Sequence, residues 1–392
     1  MKDRKAVGGV ATAQDVWGPT LKLTLLIAVL IVSLTGWSAY ASQDPAYIVV
    51  DVGRGVVINS DNSNKLWPPA SLTKLMTAYL TFKALQSGQL KFSSPVVVSK
   101  NALAEPPSKM GYKVGTVINI DNALKMMIVR SANDIAMAIA ETIGGSEAKF
   151  VVLMNAEAAR LGMNGTHFVN PNGLPATGQV TTARDLAVLA RALWMDFPQY
   201  REYFRIPAIR AGPKVLKSYN TLLEHYPGAN GLKTGFICAS GFNIVATATR
   251  NGRTLMVVVL GETSSDARAE TAAQLLDRGF SGLFGGAFGQ KLASFQTRPA
   301  PGGPVNLRKD ICETKRAPQK AAAKSALGPR FVLMEPVPVY TGGADPVRAS
   351  AGGSGGGGGA TGSGGGGVPS TANLPLPRPR PPYPAGAELI LQ

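Results

Sequence analysis

The period of the apolar positions changes several times along this chain, and each change marks an element. Tyr47-Ile48-Val49-Val50-Asp51 reads as a strand and Val56-Val57-Ile58 as a second, joined by Val52-Gly53-Arg54-Gly55, whose two glycines suit a hairpin turn. Leu72, Leu75, Met76, Tyr79 and Leu80 then recur at helical spacing behind Trp67-Pro68-Pro69-Ala70. That spacing predicts a helix from Ser71 to about Leu85 with those five residues on its apolar face. Val96-Val97-Val98 predicts a short strand, and Asp121 to Val129 and Asp134 to Ile143 predict helices with Arg130 to Asn133 between them. Ser146 is placed to cap a helix ending near Gly162, and Thr182 to cap one running to Trp194, with Thr182-x-x-Asp185 shaped as a capping box. Phe242 to Thr249 and Thr254 to Gly261 flank Asn251-Gly252, a strong hairpin signal, before helical spacing returns from Ala267 to Phe280. Strands at both ends with helices between them predict one sheet closed by the N- and C-terminal parts, beside a helical lobe: an α/β (α+β) architecture.

The two ends of the chain depart from these periods. Lys2, Arg4, Lys5 and Lys22 precede an apolar run from Leu23 to Leu34, Gly36 breaks it, and Ala39-Tyr40-Ala41 fits a small-x-small cleavage site. This pattern predicts a signal peptide over 1–41, with a retained N-terminal anchor as the alternative, since a span needs about 20 mostly apolar residues. Either way the body is expected outside the cytoplasm, in the periplasm or cell envelope. From about Phe295 the chain becomes rich in Pro, Gly and basic residues; Gly352 to Gly367 is a Gly/Ser linker, and Leu374 to Pro382 favours polyproline II. The expected division is therefore 1–41 for export, 42–290 for the folded domain, 291–348 for a short basic region and 349–392 for a disordered Gly/Ser/Pro-rich tail.

Charge and rare residues narrow the chemistry. The 392 residues carry 40 Lys and Arg against 24 Asp and Glu, a net charge of +16. Loss of residues 1–41 removes four basic and two acidic residues and leaves +14. Such a charge favours an anionic membrane or wall surface. Nucleic acid is not expected as a partner: the chain is read as exported and has no dense basic run interleaved with aromatics. Only two His and two Cys are present, which leaves little for a zinc site, and neither a metal nor a cofactor is expected. An oxidising compartment makes Cys238 and Cys312 a candidate disulfide, since two cysteines allow one intramolecular pairing.

Three short motifs carry chemistry. Ser71-Leu72-Thr73-Lys74 sets a hydroxyl and an amine three residues apart at a helix start, where they share a face and free N–H groups stabilise negative charge. A desolvated lysine beside other cations can take the serine proton. Ser146-Glu147-Ala148-Lys149 has the same spacing and reads as a helix start only. Ser131-Ala132-Asn133 falls in the break between two helices; Ser131 can relay a proton and Asn133 can bind a substrate amide. Ser-x-Asn also occurs at Ser60 and Ser218, so this pattern alone is cheap. Lys233-Thr234-Gly235 stands immediately before a β-rich run. Lys233 can hold a proton near Ser131, Thr234 can meet a carboxylate, and Gly235 allows close approach of the strand backbone to a ligand; the plainer alternative is a turn at a strand start.

Taken together, with 60 residues from Ser71 to Ser131 and 102 from there to Lys233, the motifs match the set of penicillin-binding proteins and class A β-lactamases. The sequence resembles the low-molecular-mass penicillin-binding proteins, the serine D-alanyl-D-alanine carboxypeptidases, over roughly residues 45–285. Pro69 to Thr77, Ser131-Ala132-Asn133-Asp134, His167 to Leu174 and Gly231 to Gly235 all carry the likeness. The resemblance implies the penicillin-binding/β-lactamase-like fold, an antiparallel sheet with helices and the site between sheet and helical lobe. It implies that Ser71 attacks the carbonyl between two D-alanines of a peptidoglycan stem peptide, that Lys74 is its base, and that Ser131 and Lys233 complete the proton network. Backbone N–H groups of Ser71 and Phe236 would form the oxyanion hole, and Thr234 and Arg268 would hold the terminal carboxylate. The alternative for Arg268 is an exposed arginine at a helix start. β-Lactam antibiotics would acylate the same serine.

Two departures from the family's pattern stand out. Phe236 follows the third motif where some relatives carry His. The region after about residue 290 is short, and Glu388-Leu389-Ile390-Leu391 is too brief for the amphipathic membrane helix that often ends family members. No Glu-x-x-Leu-Asn occurs between the second and third motifs, and Glu157 falls in an apparent helix, so a fast deacylation base of the β-lactamase kind is not expected. D,D-Endopeptidase action on cross-links and a non-catalytic wall-binding scaffold remain as alternatives. His167 reads as a structural residue holding its loop by hydrogen bonds, His225 as a loop residue, and Trp67 as part of the cleft or core.

Overall fold

The computed structural model describes residues 44–282, 289–314 and 325–342. The expected export segment and Gly/Ser/Pro-rich tail lie outside the described residues. The chain opens with β1 (Ala46–Asp51) and β2 (Val56–Asp61), a hairpin in which Gly55 takes a φ of +62° and its N–H donates to the Asp51 carbonyl. A 3-10 turn, Ala70–Thr73, leads into α1 (Lys74–Gln86). A small antiparallel pair, β3 (Pro95–Val97) and β4 (Val117–Asn119), encloses α2 (Lys100–Ala104). The helical lobe continues with α3 (Ile120–Val129), α4 (Asn133–Gly144), α5 (Glu147–Arg160) and α6 (Ala183–Asp196). After a 3-10 segment, Pro198–Arg205, come β5 (Ala208–Ala211), β6 (Lys214–Lys217) and the single turn α7 (Leu222–His225). Three long strands follow, β7 (Ala229–Ile237), β8 (Gly241–Arg250) and β9 (Arg253–Glu262), and then α8 (Ser265–Phe280). A last short strand, β10 (Val337–Val339), runs parallel to β5.

The main sheet has the order β2-β1-β9-β8-β7, antiparallel throughout, so the N-terminal hairpin closes against the C-terminal strands as the sequence pattern predicts. Alternation explains why its central strands are almost uniformly apolar. Leu255, Val257 and Val259 of β9 face α8 with Ala269, Ala272 and Leu276. Met256, Val258 and Leu260, one residue out of phase, join the core of the helical lobe. A strand covered on both faces must be apolar at both parities. Asn251 and Gly252 both take positive φ, the geometry of a two-residue turn whose twist matches the strands it joins.

Helix α1 differs from its expected amphipathic form. Ten of its 13 residues are buried, Lys74, Thr77 and Thr81 among them, because it runs through the centre of the lobe and has no solvent face. Its α-helical part begins at Lys74 rather than Ser71. The expected caps form at Ser146, whose Oγ accepts from the Lys149 N–H, and at Thr182, whose Oγ1 accepts from the Asp185 N–H. The capping box at Thr182 closes on one side only: the Asp185 carboxylate accepts instead from Gly165 N–H, the Thr166 hydroxyl and Arg184.

Residues after 290 are folded onto this body in part. Leu292, Val305 and Leu307 are buried, and the Leu292, Ala293 and Phe295 carbonyls accept from the buried Arg184 guanidinium. A Cys238–Cys312 disulfide ties this segment to the turn between β7 and β8. Trp67 belongs to the core: its indole N–H donates to the Ser240 carbonyl, 2.9 Å away, and its ring lies where a Cβ on Gly261 would fall.

Candidate active site

The three motifs meet where the sheet edge faces the helical lobe. Ser71 sits in the 3-10 turn Ala70–Thr73, Ser131 and Asn133 come from the break between α3 and α4, and Lys233-Thr234-Gly235 lies in the middle of β7. The third motif is thus inside a nine-residue strand, not a turn before one. β7 is the edge strand of the sheet, so one side of its backbone is free of strand partners. A cleft of about 490 Å³ opens here, with Ser71, Ser131, Asn133, Thr234, Phe236 and Arg268 in its wall.

Lys74 is 1% exposed and lies directly behind Ser71. Its Nζ is 3.0 Å from Ser71 Oγ, 2.7 Å from Asn133 Oδ1 and 2.6 Å from the Asn172 carbonyl. Burial first, and the nearby Lys233 charge second, hold its pKa well below the ordinary lysine range, opposed by the carboxylates of Glu105 and Asp134. A neutral amine has two hydrogens and one lone pair. Two carbonyl oxygens are placed to take those hydrogens, which leaves the lone pair for the serine hydroxyl.

Lys233, 3% exposed, donates to the Thr234 carbonyl at 3.0 Å, and burial together with the Arg268 charge lowers its pKa to about 7. Ser131 is buried, its hydroxyl has no hydrogen-bond partner among the described residues, and its φ of +59° puts a side-chain-bearing residue in the left-handed region. Such a conformation costs about 1–3 kcal/mol and survives where surrounding contacts enforce it. The Asn133 amide, expected to meet substrate, also holds Lys74: Oδ1 accepts from its Nζ and Nδ2 donates to the Pro106 carbonyl, with one hydrogen remaining. Asp134 accepts from the Met110 and Gly111 N–H groups and pins the loop that carries Pro106.

Gly235 also packs β7 against the Ala70–Thr73 turn. A Cβ there would lie 3.1 Å from the backbone nitrogens of Ser71 and Leu72 and 3.2 Å from the Pro69 carbonyl. β7, whose Gly235 also lies in the wall of the cleft, therefore approaches the Ala70–Thr73 turn closely here. Gly173 does the same from the opposite side, where a Cβ would fall 1.8 Å from the Ala70 carbonyl. Arg268 is not an exposed helix-start arginine: it is 4% exposed, donates to the Tyr219 carbonyl at 3.0 Å, and burial lowers its pKa to about 10. Phe236 is 43% exposed and stacks on Phe242 with ring centroids 4.3 Å apart.

His167 holds its loop by hydrogen bonds, as expected. Its side chain is exposed, and its backbone N–H and carbonyl, not its ring, hold the loop through Val180. His225 ends α7 and its Nδ1 meets the Gly328 carbonyl. Sequence reasoning gave no role to Asn172, whose contribution is a main-chain carbonyl, nor to Tyr219, which stood in a Ser-x-Asn repeat set aside as common.

A model of the D-alanyl-D-alanine carboxypeptidase family, Peptidase S11, matches residues 36–264, more than half of the chain. The chain belongs to this family. Among curated relatives, D-alanyl-D-alanine carboxypeptidase DacC of Escherichia coli is 34% identical over 242 residues, a match that spans 60% of this chain and 60% of DacC. Among solved structures, DacD from Francisella tularensis superposes with a TM-score of 0.59 at 30% identity, covering 61% of this chain and 70% of that one. Penicillin-binding protein D2 from Listeria monocytogenes, in its cefotaxime-bound form, gives 0.55 at 30% identity, over 60% of this chain and 96% of that one. The fold is the penicillin-binding, β-lactamase-like one, and in this family member all three motifs are intact.

Proposed function

We propose that this chain is a serine D-alanyl-D-alanine carboxypeptidase acting on peptidoglycan stem pentapeptides. The observation that carries the reading is the buried Lys74 amine, 3.0 Å from Ser71 Oγ and within hydrogen-bond distance of the Asn133 and Asn172 carbonyl oxygens. Ser71 Oγ attacks the carbonyl between the two terminal D-alanines as Lys74 removes its proton. The negative oxygen is met by the Ser71 and Phe236 N–H groups; a single such donor is worth about 3 kcal/mol of barrier. The C–N bond then breaks, the leaving nitrogen takes a proton through Lys74, Ser131 and Lys233, and D-alanine departs from an ester on Ser71. Water attacks that ester, gives one proton to Lys74, and the proton returns to the serine oxygen as the C–O bond breaks. Thr234 and Arg268 hold the terminal carboxylate. A β-lactam enters the same cycle and stalls at the ester.

No carboxylate lines the cleft among the described residues. Glu157 is buried in α5 and paired with Lys83 and Arg160, so fast β-lactam turnover through it has no support. Export is inferred from the N-terminal pattern, and the charge of +14 that remains suits an anionic wall or membrane surface. Incubation with penicillin followed by intact-mass measurement, alongside an assay of D-alanine release from a stem pentapeptide, tests the reading. A lasting adduct on Ser71 with free D-alanine is expected, and Ser71→Ala should abolish both. An adduct without D-alanine release would replace carboxypeptidase by endopeptidase or scaffold, and rapid loss of penicillin without an adduct would replace it by β-lactamase.

A further inference from the structure

We infer that Phe236 and Phe242 form an aromatic shelf for the side chain of the departing residue, and that the enzyme releases D-amino acids with larger apolar side chains as well as D-alanine. The inference rests on the carboxypeptidase reading and specifies its substrate class. The two phenylalanines are cross-strand partners on β7 and β8, their rings 4.3 Å apart and tilted by 35°. Both line the same cleft as Ser71, and Phe236 is 43% exposed. A large apolar side chain left open on a cleft wall has surface to offer a ligand.

The position of the shelf relative to the carboxylate anchor decides which part of the substrate it meets. The Arg268 guanidinium lies 5.9 Å from the Phe242 ring centroid. Arg268 Nη2 is held by the Tyr219 carbonyl, while Nε is buried without a hydrogen-bond partner among the described residues. In the carboxypeptidase reading the substrate's terminal carboxylate docks at Thr234 and Arg268. The α-carbon that carries the departing side chain is one bond from that carboxylate, so the side chain projects beside the cation, where the Phe242 ring stands. A methyl covers a small part of two phenyl rings. D-Leucine, D-methionine or D-phenylalanine covers more of them and removes more apolar surface from water, at about 25 cal/mol for each Å².

The test uses the full chain and stem pentapeptides that differ only in the last residue, D-alanine or D-leucine, with the released D-amino acid measured. The wild type should release both, with kcat/KM values within about tenfold of each other. Phe242→Ala should lower the ratio of D-leucine to D-alanine kcat/KM by about tenfold, the scale on which a hydrophobic pocket senses small changes in shape, and chiefly through KM. Phe236→His keeps the backbone N–H and should lower the same ratio in the same direction. Because the readout is a ratio, a loss of folded protein common to both substrates cancels. D-Alanine release with no D-leucine release by the wild type overturns the inference, as does a ratio unchanged in both variants. Release from neither peptide overturns the carboxypeptidase reading itself.

Discussion

Replacing Gly235 by alanine isolates the contact between sheet and nucleophile. The added Cβ would sit 3.1 Å from the nitrogens of Ser71 and Leu72 and 3.2 Å from the Pro69 carbonyl, a few tenths of an ångström inside ordinary contact. All three atoms are main chain, so no side-chain rotation relieves the clash. Overpacking of this kind costs about 1–3 kcal/mol, a fall in Tm of roughly 2–4 °C per kcal/mol for a domain of this size. The kinetic cost is more specific. Relief comes by pushing the turn away from β7, and that turn carries Ser71 and its N–H. A displacement of 1 Å can cost about 100-fold in rate, so a few tenths should slow acylation roughly tenfold. The second-order rate of Ser71 acylation by a fluorescent penicillin reads this directly. Gly252→Ala is the control: Gly252 has a φ of +76° and nothing within 4 Å, so its cost is conformational strain far from the site. Gly235→Ala should slow acylation while Gly252→Ala lowers Tm alone. Acylation at the wild-type rate in Gly235→Ala, or equal slowing in both, would refute the reasoning.

Three further outcomes are expected. Lys74→Arg keeps a permanent positive charge beside Ser71 and should lower acylation by about 100- to 10,000-fold; in the wild type, acylation should fall as pH drops through the lowered Lys74 pKa, measured as a pH–rate profile. Lys233 has its pKa lowered from 10.5 to about 7, so between those values the unfolded chain binds more protons and stability rises with pH; Tm at pH 7 and pH 9 should show this rise in the wild type and a flatter one in Lys233→Met. The Cys238–Cys312 bond spans 74 residues, worth about 4 kcal/mol by loop entropy. The double serine variant should unfold at correspondingly lower denaturant, and thiol counting on the unreduced protein should find no free thiol.

Much of the fold is legible in the sequence wherever burial enforces a period. β1, β8 and β9 are covered on both faces and read as apolar runs; Asn251-Gly252 marks its hairpin because few other pairs accept two positive φ values in succession. β7 is harder to read. Ala229-Asn230-Gly231-Leu232-Lys233-Thr234-Gly235-Phe236-Ile237 has polar residues and glycines where an apolar alternation would be. Its strand character comes from pairing with β8, Lys233 opposite Val245 and Gly235 opposite Asn243, contacts that no local window contains. The site divides the same way. The candidate side chains Ser71, Lys74, Ser131 and Lys233 stand out by type and spacing. The Asn172 carbonyl, the Pro106 carbonyl that holds Asn133, and the close approach of Gly173 to Ala70 depend on backbone position alone.

The order β2-β1-β9-β8-β7 also governs how the molecule is made. Ile48 pairs with Val258, about 210 residues later in the chain. Contacts of such high order form only after a large loop has closed, and they slow folding relative to local ones. As the chain emerges from N- to C-terminus, the first hairpin and the nucleophile turn wait through the whole helical lobe for their partners. The N-terminal hairpin and the β7 wall of the cleft can therefore be joined in one sheet only after β9 is made, and a chain interrupted before Arg253 would lack the strand that joins the two halves.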